Sequence, residues 1–238
     1  MDRGFAGLRD WLAGDDVQAE PEDPTLSRAP DRGADREVEF SGYTEDCRIF
    51  GFVHLAGERL SDALNELDEV HLESVLLVAL EDNRAVEVRD LVVTRDELIA
   101  VRASGPRGNA ARRIRTRPSP VAVKAGPYIV RGYVHGPPGG DPLRRFRTQR
   151  PMVPLTEAWM EYEAGGTPHR ARIGPLIVNT TFVDWVEHAK ETDVRVDLPV
   201  EMRIDPRAKD MTGNVRIAGH AEKRSRFEEI AQIAEIQE

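Results

Sequence analysis

An internal repeat constrains this chain more than any other feature. Cys47-Arg-Ile-Phe-Gly-Phe-Val-His54 aligns with Tyr128-Ile-Val-Arg-Gly-Tyr-Val-His135 at an offset of 81, so that Gly51, Val53 and His54 recur as Gly132, Val134 and His135. Val70-His-Leu72 aligns with Val153-Pro-Leu155 at an offset of 83, and the run Leu91 to Val101 aligns with Leu176 to Val186 at 85. Three blocks in one order, with offsets that drift by two residues at loops, mark a duplicated unit of roughly 60 residues.

Each copy reads as β-α-β-β-β. In the first, an alternating strand over 46–55 precedes residues 59–67, where Leu60, Ala63, Leu64 and Leu67 share one helical face. Strands are expected near 70–81, 85–93 and 97–103, with Glu81-Asp-Asn-Arg84 as a hairpin turn. In the second copy the helix position becomes Pro142-Leu-Arg-Arg-Phe-Arg-Thr148. Leu143 and Phe146 keep the apolar face there, and Arg144, Arg145 and Arg147 make the exposed face basic. A β unit of this size buries too little apolar surface to be stable alone, so the two copies are expected to pack as one pseudo-symmetric body. The fold class is therefore α+β, mostly β, with a β extension and a C-terminal helix appended.

The full organisation predicted is a short amphipathic helix at 1–14, a disordered acidic linker at 15–40, repeat copies at 41–104 and 121–190 joined by a basic linker at 105–120, a β extension at 191–219 and a helix at 220–238. Phe5, Leu8, Trp11 and Leu12 fall at helical spacing, and eight residues are too few to hold a helix alone. On an acidic leash they read as a docking peptide, for another protein or for the chain's own body. In the extension, Val194, Val196, Leu198, Val200, Met202 and Ile204 alternate with mostly polar residues, the signal of an amphipathic strand, and Pro199 argues for an edge or a kink. Phe227, Ile230, Ile233 and Ala234 give the last helix an apolar face for the body or for a second subunit.

Composition closes off other classes. The longest apolar run, Val75 to Leu80, has six residues, far short of the roughly 20 of a spanning helix, so no membrane insertion is expected. No secretory h-region is visible and a cytoplasmic location is expected. Cys47, the one cysteine, excludes an intramolecular disulfide or a multi-cysteine zinc site.

The net charge of −9 hides two opposed regions. Residues 102–156 hold twelve basic side chains against Asp141, a local excess of +11 that leaves −20 for the rest. Residues 1–49 alone carry thirteen Asp and Glu against six Arg. Such a contrast concentrates positive potential and attracts phosphate, nucleic acid or an acidic segment. Arg112, Arg113, Arg115, Arg117, Arg144, Arg145 and Arg147 are the candidate polyanion contacts. The alternatives are that the acidic N-terminal tail covers them or that they solubilise a linker, since few aromatics are interleaved for base stacking.

Gly51-Phe-Val-His54, Arg59-Leu-Ser-Asp-Ala-Leu-Asn65, Val70-His-Leu-Glu-Ser-Val75 and Leu91-Val-Val-Thr94 together resemble a small bacterial domain family of unknown function. Its members share a strand, an Arg-Leu-Ser-Asp-x-Leu-Asn segment and a later apolar strand ending in Val-Asn or a similar pair. The first copy fits over about 55 residues, whereas the second fits only at its strands. The resemblance supports the domain, supplies no catalytic residues and leaves the activity open.

No catalytic constellation emerges. There is no Gly-x-Ser-x-Gly elbow and no phosphate-binding glycine loop, and Cys47 lies on a strand without a group to lower its pKa. Ser61-Asp62 reads as helix N-terminal chemistry. His54 and His135 occupy equivalent positions, but a metal site would want a third ligand such as Cys47, Asp62 or Asp141, and the simpler reading is that each ring packs at a strand end. His71, His169, His188 and His220 are scattered. No metal or cofactor is expected. The expectation is a non-enzymatic adaptor or scaffold that recruits a protein through its N-terminal or C-terminal helix, self-association included, with nucleic-acid or polyanion binding through 102–150 as the alternative.

Overall fold

A computed structural model describes residues 36–56, 59–105, 115–147, 150–201 and 204–207, together with Phe227, Ile230, Ala231 and Ala234. The expectations for Phe5, Leu8, Trp11, Leu12, Arg112, Arg113 and most of 208–238 fall outside these residues.

Ten strands form one antiparallel sheet. They are β1 (Arg36–Tyr43), β2 (Cys47–Leu55), β3 (Glu69–Ala79), β4 (Ala85–Thr94), β5 (Ala100–Arg102), β6 (Arg117–Ala125), β7 (Tyr128–Gly136), β8 (Met152–Ala164), β9 (Thr167–Asn179) and β10 (Val183–His188). Helix α1 (Leu60–Glu66) joins β2 to β3, and α2 (Glu191–Val194) follows β10. The order across the sheet is β10-β6-β7-β8-β9-β5-β1-β2-β3-β4. Within each half the fifth strand lies beside the first, and the first, second, third and fourth then follow as hairpins. The halves meet where β5 pairs with β9, Ala100 opposite Val178 and Arg102 opposite Leu176. The molecule is mostly β, as expected, and no helix among the described residues is long and apolar enough to cross a membrane.

Two strands escaped the sequence reading. β1 begins inside the segment assigned to the acidic linker, because Val38 and Phe40 are its only large apolar core residues before Tyr43 and charged neighbours mask their alternation. β6 begins inside the segment assigned to the basic linker, where Pro118 and Pro120 argue against a strand. Their missing N–H groups face the side on which β10 has already ended, since the last bond there runs from Ala189 N–H to Pro120 O. Each half therefore holds five strands, not four, and the helix position of the second half is a 3-10 turn, Pro142–Arg147. The predicted turn at Glu81–Arg84 is present, with Asn83 at φ 59°.

Both halves carry the same irregularity. Opposite Gly51 the ladder between β2 and β3 slips, with Ser74 at φ 51°; opposite Gly132 the ladder between β7 and β8 slips, with Glu157 at φ 51°. A Cβ on Gly51 would lie 3.2 Å from the Glu73 carbonyl oxygen, and one on Gly132 would lie 3.1 Å from that of Thr156. The recurring glycines of the sequence are thus the flat partners of two β-bulges.

The core is divided between the halves and shared by them. Phe40, Ile49, Val53, Leu60, Leu64, Leu72 and Leu77 gather in the first half, joined by Met152 and Ile177 from the second. Val123, Tyr128, Val130, Leu155, Met160 and Leu176 gather in the second, joined by Tyr43, Leu80 and Ile99 from the first. Phe227, Ile230 and Ala231 pack into the first cluster, and Asp46 Oδ2 accepts the Phe227 N–H at 3.1 Å. The expected docking of the terminal apolar residues is therefore onto the chain's own body.

Residues 191–201 and 204–207 differ from the alternating strand expected there. After the short α2 they form an extended strap with one parallel bridge, Val200 to Arg172, and cross the outer face of the sheet from the second half to the first. Trp159 Nε1 donates to Asp193 O, Arg172 binds Val196 O and Pro199 O, and Glu201 accepts from Tyr43 and Tyr162. Ile204 covers Phe50, Leu76 and Val78. Arg207 ends the strap 3.8 Å above the Phe52 ring, its guanidinium bonded to both Glu37 oxygens at 2.8 Å. The alternation failed as a strand signal because the segment is held by single hydrogen bonds to its backbone and by one parallel bridge, not by a ladder, and Val200 is exposed.

Candidate binding sites

The described arginines of the predicted polyanion set collect at one end of the second half. Arg115 and Arg117 lead into β6, where Arg117 sits opposite Gly136 at the end of β7. The 3-10 turn that carries Arg144, Arg145 and Arg147 follows that strand end, held by Phe146 in the core and by Asp141 Oδ1 accepting the Leu143 N–H at 2.9 Å. Between the two groups lies His135, with Nδ1 3.4 Å from Thr116 Oγ1 and Nε2 2.8 Å from Thr156 Oγ1. Burial first, and the nearby Arg145 second, hold His135 below the ordinary imidazole pKa. Arg115, Arg117, Arg144 and Arg147 are exposed and make no ion pair with any described residue.

Not every arginine in the basic stretch is available. Arg131 lies 4.9 Å from the Trp159 ring centroid and binds Glu161 at 3.3 Å, and Arg170, bonded to the same Glu161 oxygen, lies 5.0 Å from that centroid. These are structural stacks, and counting charge along the chain could not separate them from the exposed group.

A second site lies in the first half. Val53, Leu55, Leu60, Leu64 and Val70 floor a cleft of about 430 Å³ between α1 and the β2–β3 hairpin, with Leu67, His54, His71, Glu69 and Glu73 on its rim. Leu67 is 52% exposed, an unusual position for a leucine that the sequence placed on the buried helix face. Helix α1 caps through Arg59 without a side-chain bond, so Ser61 does not cap it. Asn65 instead donates to Ser61 O and Met152 O and accepts from Met152 N.

The two repeated histidines serve different neighbours. His54 Nε2 lies 3.6 Å from Glu73, whereas His135 binds Thr116 and Thr156, and the two sit in different halves. Glu37, His54 and Glu73 bring one ligand atom each within 4.8 Å of one another at the surface. The Arg207 guanidinium already occupies Glu37 and holds its carboxyl below the usual range, so the positive charge there comes from the protein. Cys47 is buried against Thr44, and burial pushes its thiol up to about 12, the reverse of an activated nucleophile. In comparisons with known proteins the chain matches no family model, no curated protein and no solved structure.

Proposed function

We propose that this chain is a non-catalytic binding scaffold, built from two copies of a five-stranded unit, whose second copy presents its basic end to a polyanionic partner. The duplication is supported by the equal strand order of the halves and by the paired bulges at Ser74 and Glu157, which fall at the same offset of 83 as one of the sequence blocks. The observation that carries the binding reading is the group Arg115, Arg117, Arg144 and Arg147, exposed around the end of β7 with no carboxylate partner among the described residues. Side chains so placed neutralise the phosphates of a polyanion and release the cations condensed on it.

A mobility-shift titration with a 30-base-pair duplex and with single-stranded DNA tests the reading. Binding should weaken steeply with salt, with a slope of roughly −0.9 per phosphate neutralised on duplex. The quadruple variant Arg115→Glu/Arg117→Glu/Arg144→Glu/Arg147→Glu should lose the shift. Absence of any shift at low salt defeats the proposal. The cleft over Leu55 and Leu64 supports a second reading, a protein partner with an apolar segment, and Leu67→Lys would weaken that partner while leaving polyanion binding unchanged.

A further inference from the structure

We propose that His135 is a further contact of the basic end, taking up a proton as a polyanion binds so that its imidazolium joins the arginines around it. The inference rests on the reading of that end as a polyanion site. His135 lies next to the last residue of β7, opposite Pro118 of β6. Thr116 Oγ1 is 3.4 Å from its Nδ1 and Thr156 Oγ1 is 2.8 Å from its Nε2. A hydroxyl accepts as well as it donates, so both ring nitrogens have an acceptor at hand when both carry hydrogen. The imidazolium there has hydrogen-bond partners; what it needs is a counter-charge.

The first half shows what that counter-charge looks like when the chain supplies it. His54 holds the equivalent place there, and the residue before the bulge is Glu73, whose Oε1 lies 3.6 Å from His54 Nε2, with Glu37 opposite on β1. In the second half the residue before the bulge is Thr156 and the residue opposite is Pro118, so a hydroxyl and a proline stand where the first copy has two carboxylates. The charged groups that face His135 are Arg145 from the 3-10 turn and Glu157 from the bulge of β8, with Arg115 and Arg117 flanking Thr116 in the chain. Burial first, then Arg145, disfavours the imidazolium in the free protein, and Glu157 offsets this only in part. A phosphate held by the arginines brings the negative charge that the second copy lacks. By linkage, binding then favours the proton by the same factor as the proton favours binding. Affinity therefore rises as pH falls through the value at which His135 titrates in the complex, and levels off below the lower value at which it titrates in the free chain.

Titration of a labelled 30-base-pair duplex with the full chain, at about pH 8 and about pH 5.5 and at one low salt concentration, tests the proposal. The unchanged chain should bind about five- to tenfold more tightly at the lower pH. His135→Gln keeps a donor and an acceptor for the two threonines; it should match the unchanged chain at pH 8 and lose most of the gain at pH 5.5. A second measurement needs no variant. The imidazole resonance of His135, identified by its cross-peaks to Thr116 and Thr156, should titrate at a higher pH in the complex than in the free chain. A gain that His135→Gln retains in full, or a His135 titration that the duplex leaves in place, overturns the inference while the polyanion reading stands. A chain that binds no duplex at either pH overturns both.

Discussion

Asn65 and Met152 exchange two hydrogen bonds between the halves: the side-chain amide donates to Met152 O at 3.1 Å and accepts from Met152 N at 3.1 Å. An asparagine thereby imitates a strand neighbour for the first residue of β8, which is buried and has no other source of both partners at that point. Asn65→Ala should cost about 2 kcal/mol, the penalty for leaving a buried N–H and C=O unpaired. Asn65→Asp retains the acceptor only and should fall between the two. Urea unfolding with an unchanged m-value is the check.

The bulge glycines should be intolerant of even one methyl group. In Gly51→Ala and Gly132→Ala the new Cβ meets a backbone carbonyl at 3.2 and 3.1 Å, and neither carbonyl can withdraw without breaking the ladder. A loss of about 1–3 kcal/mol is expected for each. Equal losses in the two variants would show that both bulges support the fold alike; thermal unfolding of the single and double variants reads this directly.

Alkaline pH should unfold the protein through groups held protonated in its interior. Burial, reinforced by Glu201, pushes Tyr162 up to about 12, and burial pushes the Cys47 thiol up to about 12. A raised folded-state pKa gives stability that is complete below the unfolded value and lost as pH rises through the folded one. The loss therefore starts near the ordinary thiol value of about 9 and the ordinary phenol value of about 10, and is complete above about 12. Tyr162→Phe should flatten the curve between pH 10 and 12. Consistent with the same burial, Cys47 should resist iodoacetamide at pH 8 until denaturant is added.

Removing the last anchor of the strap should loosen its end. Arg207→Ala uncovers Phe52 and frees Glu37 and Ser74 on the outer face. Cleavage by a protease specific for acidic residues should speed up at Glu201 and Asp205 while the sheet stays intact. High salt should reproduce part of this effect in the unchanged chain, because the Arg207–Glu37 pair is exposed.

The alternating and glycine-containing strands were legible in the sequence because they obey local rules. β2, β7 and the turn at Glu81–Arg84 each state their structure within ten residues. β1 and β6 were hidden for a different reason: their identity rests on partners, β2 with β5 for one and β7 with β10 for the other, and a partner leaves no mark on local composition. Charge counting located Arg115, Arg117, Arg144 and Arg147 but also gathered in Arg131, which Trp159 and Glu161 occupy. The strap was misread because hydrophobic alternation reports two environments, not the hydrogen bonds that make a strand. The cleft beneath Leu67 left no signal at all, since its walls come from a helix and a hairpin that meet only after folding.

Met152 and Ile177 sit in the interior of the first half, and Tyr43, Leu80 and Ile99 in that of the second. A lineage of such chains is therefore free to repaint the solvent side of either half, turning one acidic and the other basic, but cannot revise one interior without consulting the other. Fission into two independent genes would strand five large side chains in water. Surface character can drift apart while the two interiors are held to a common history.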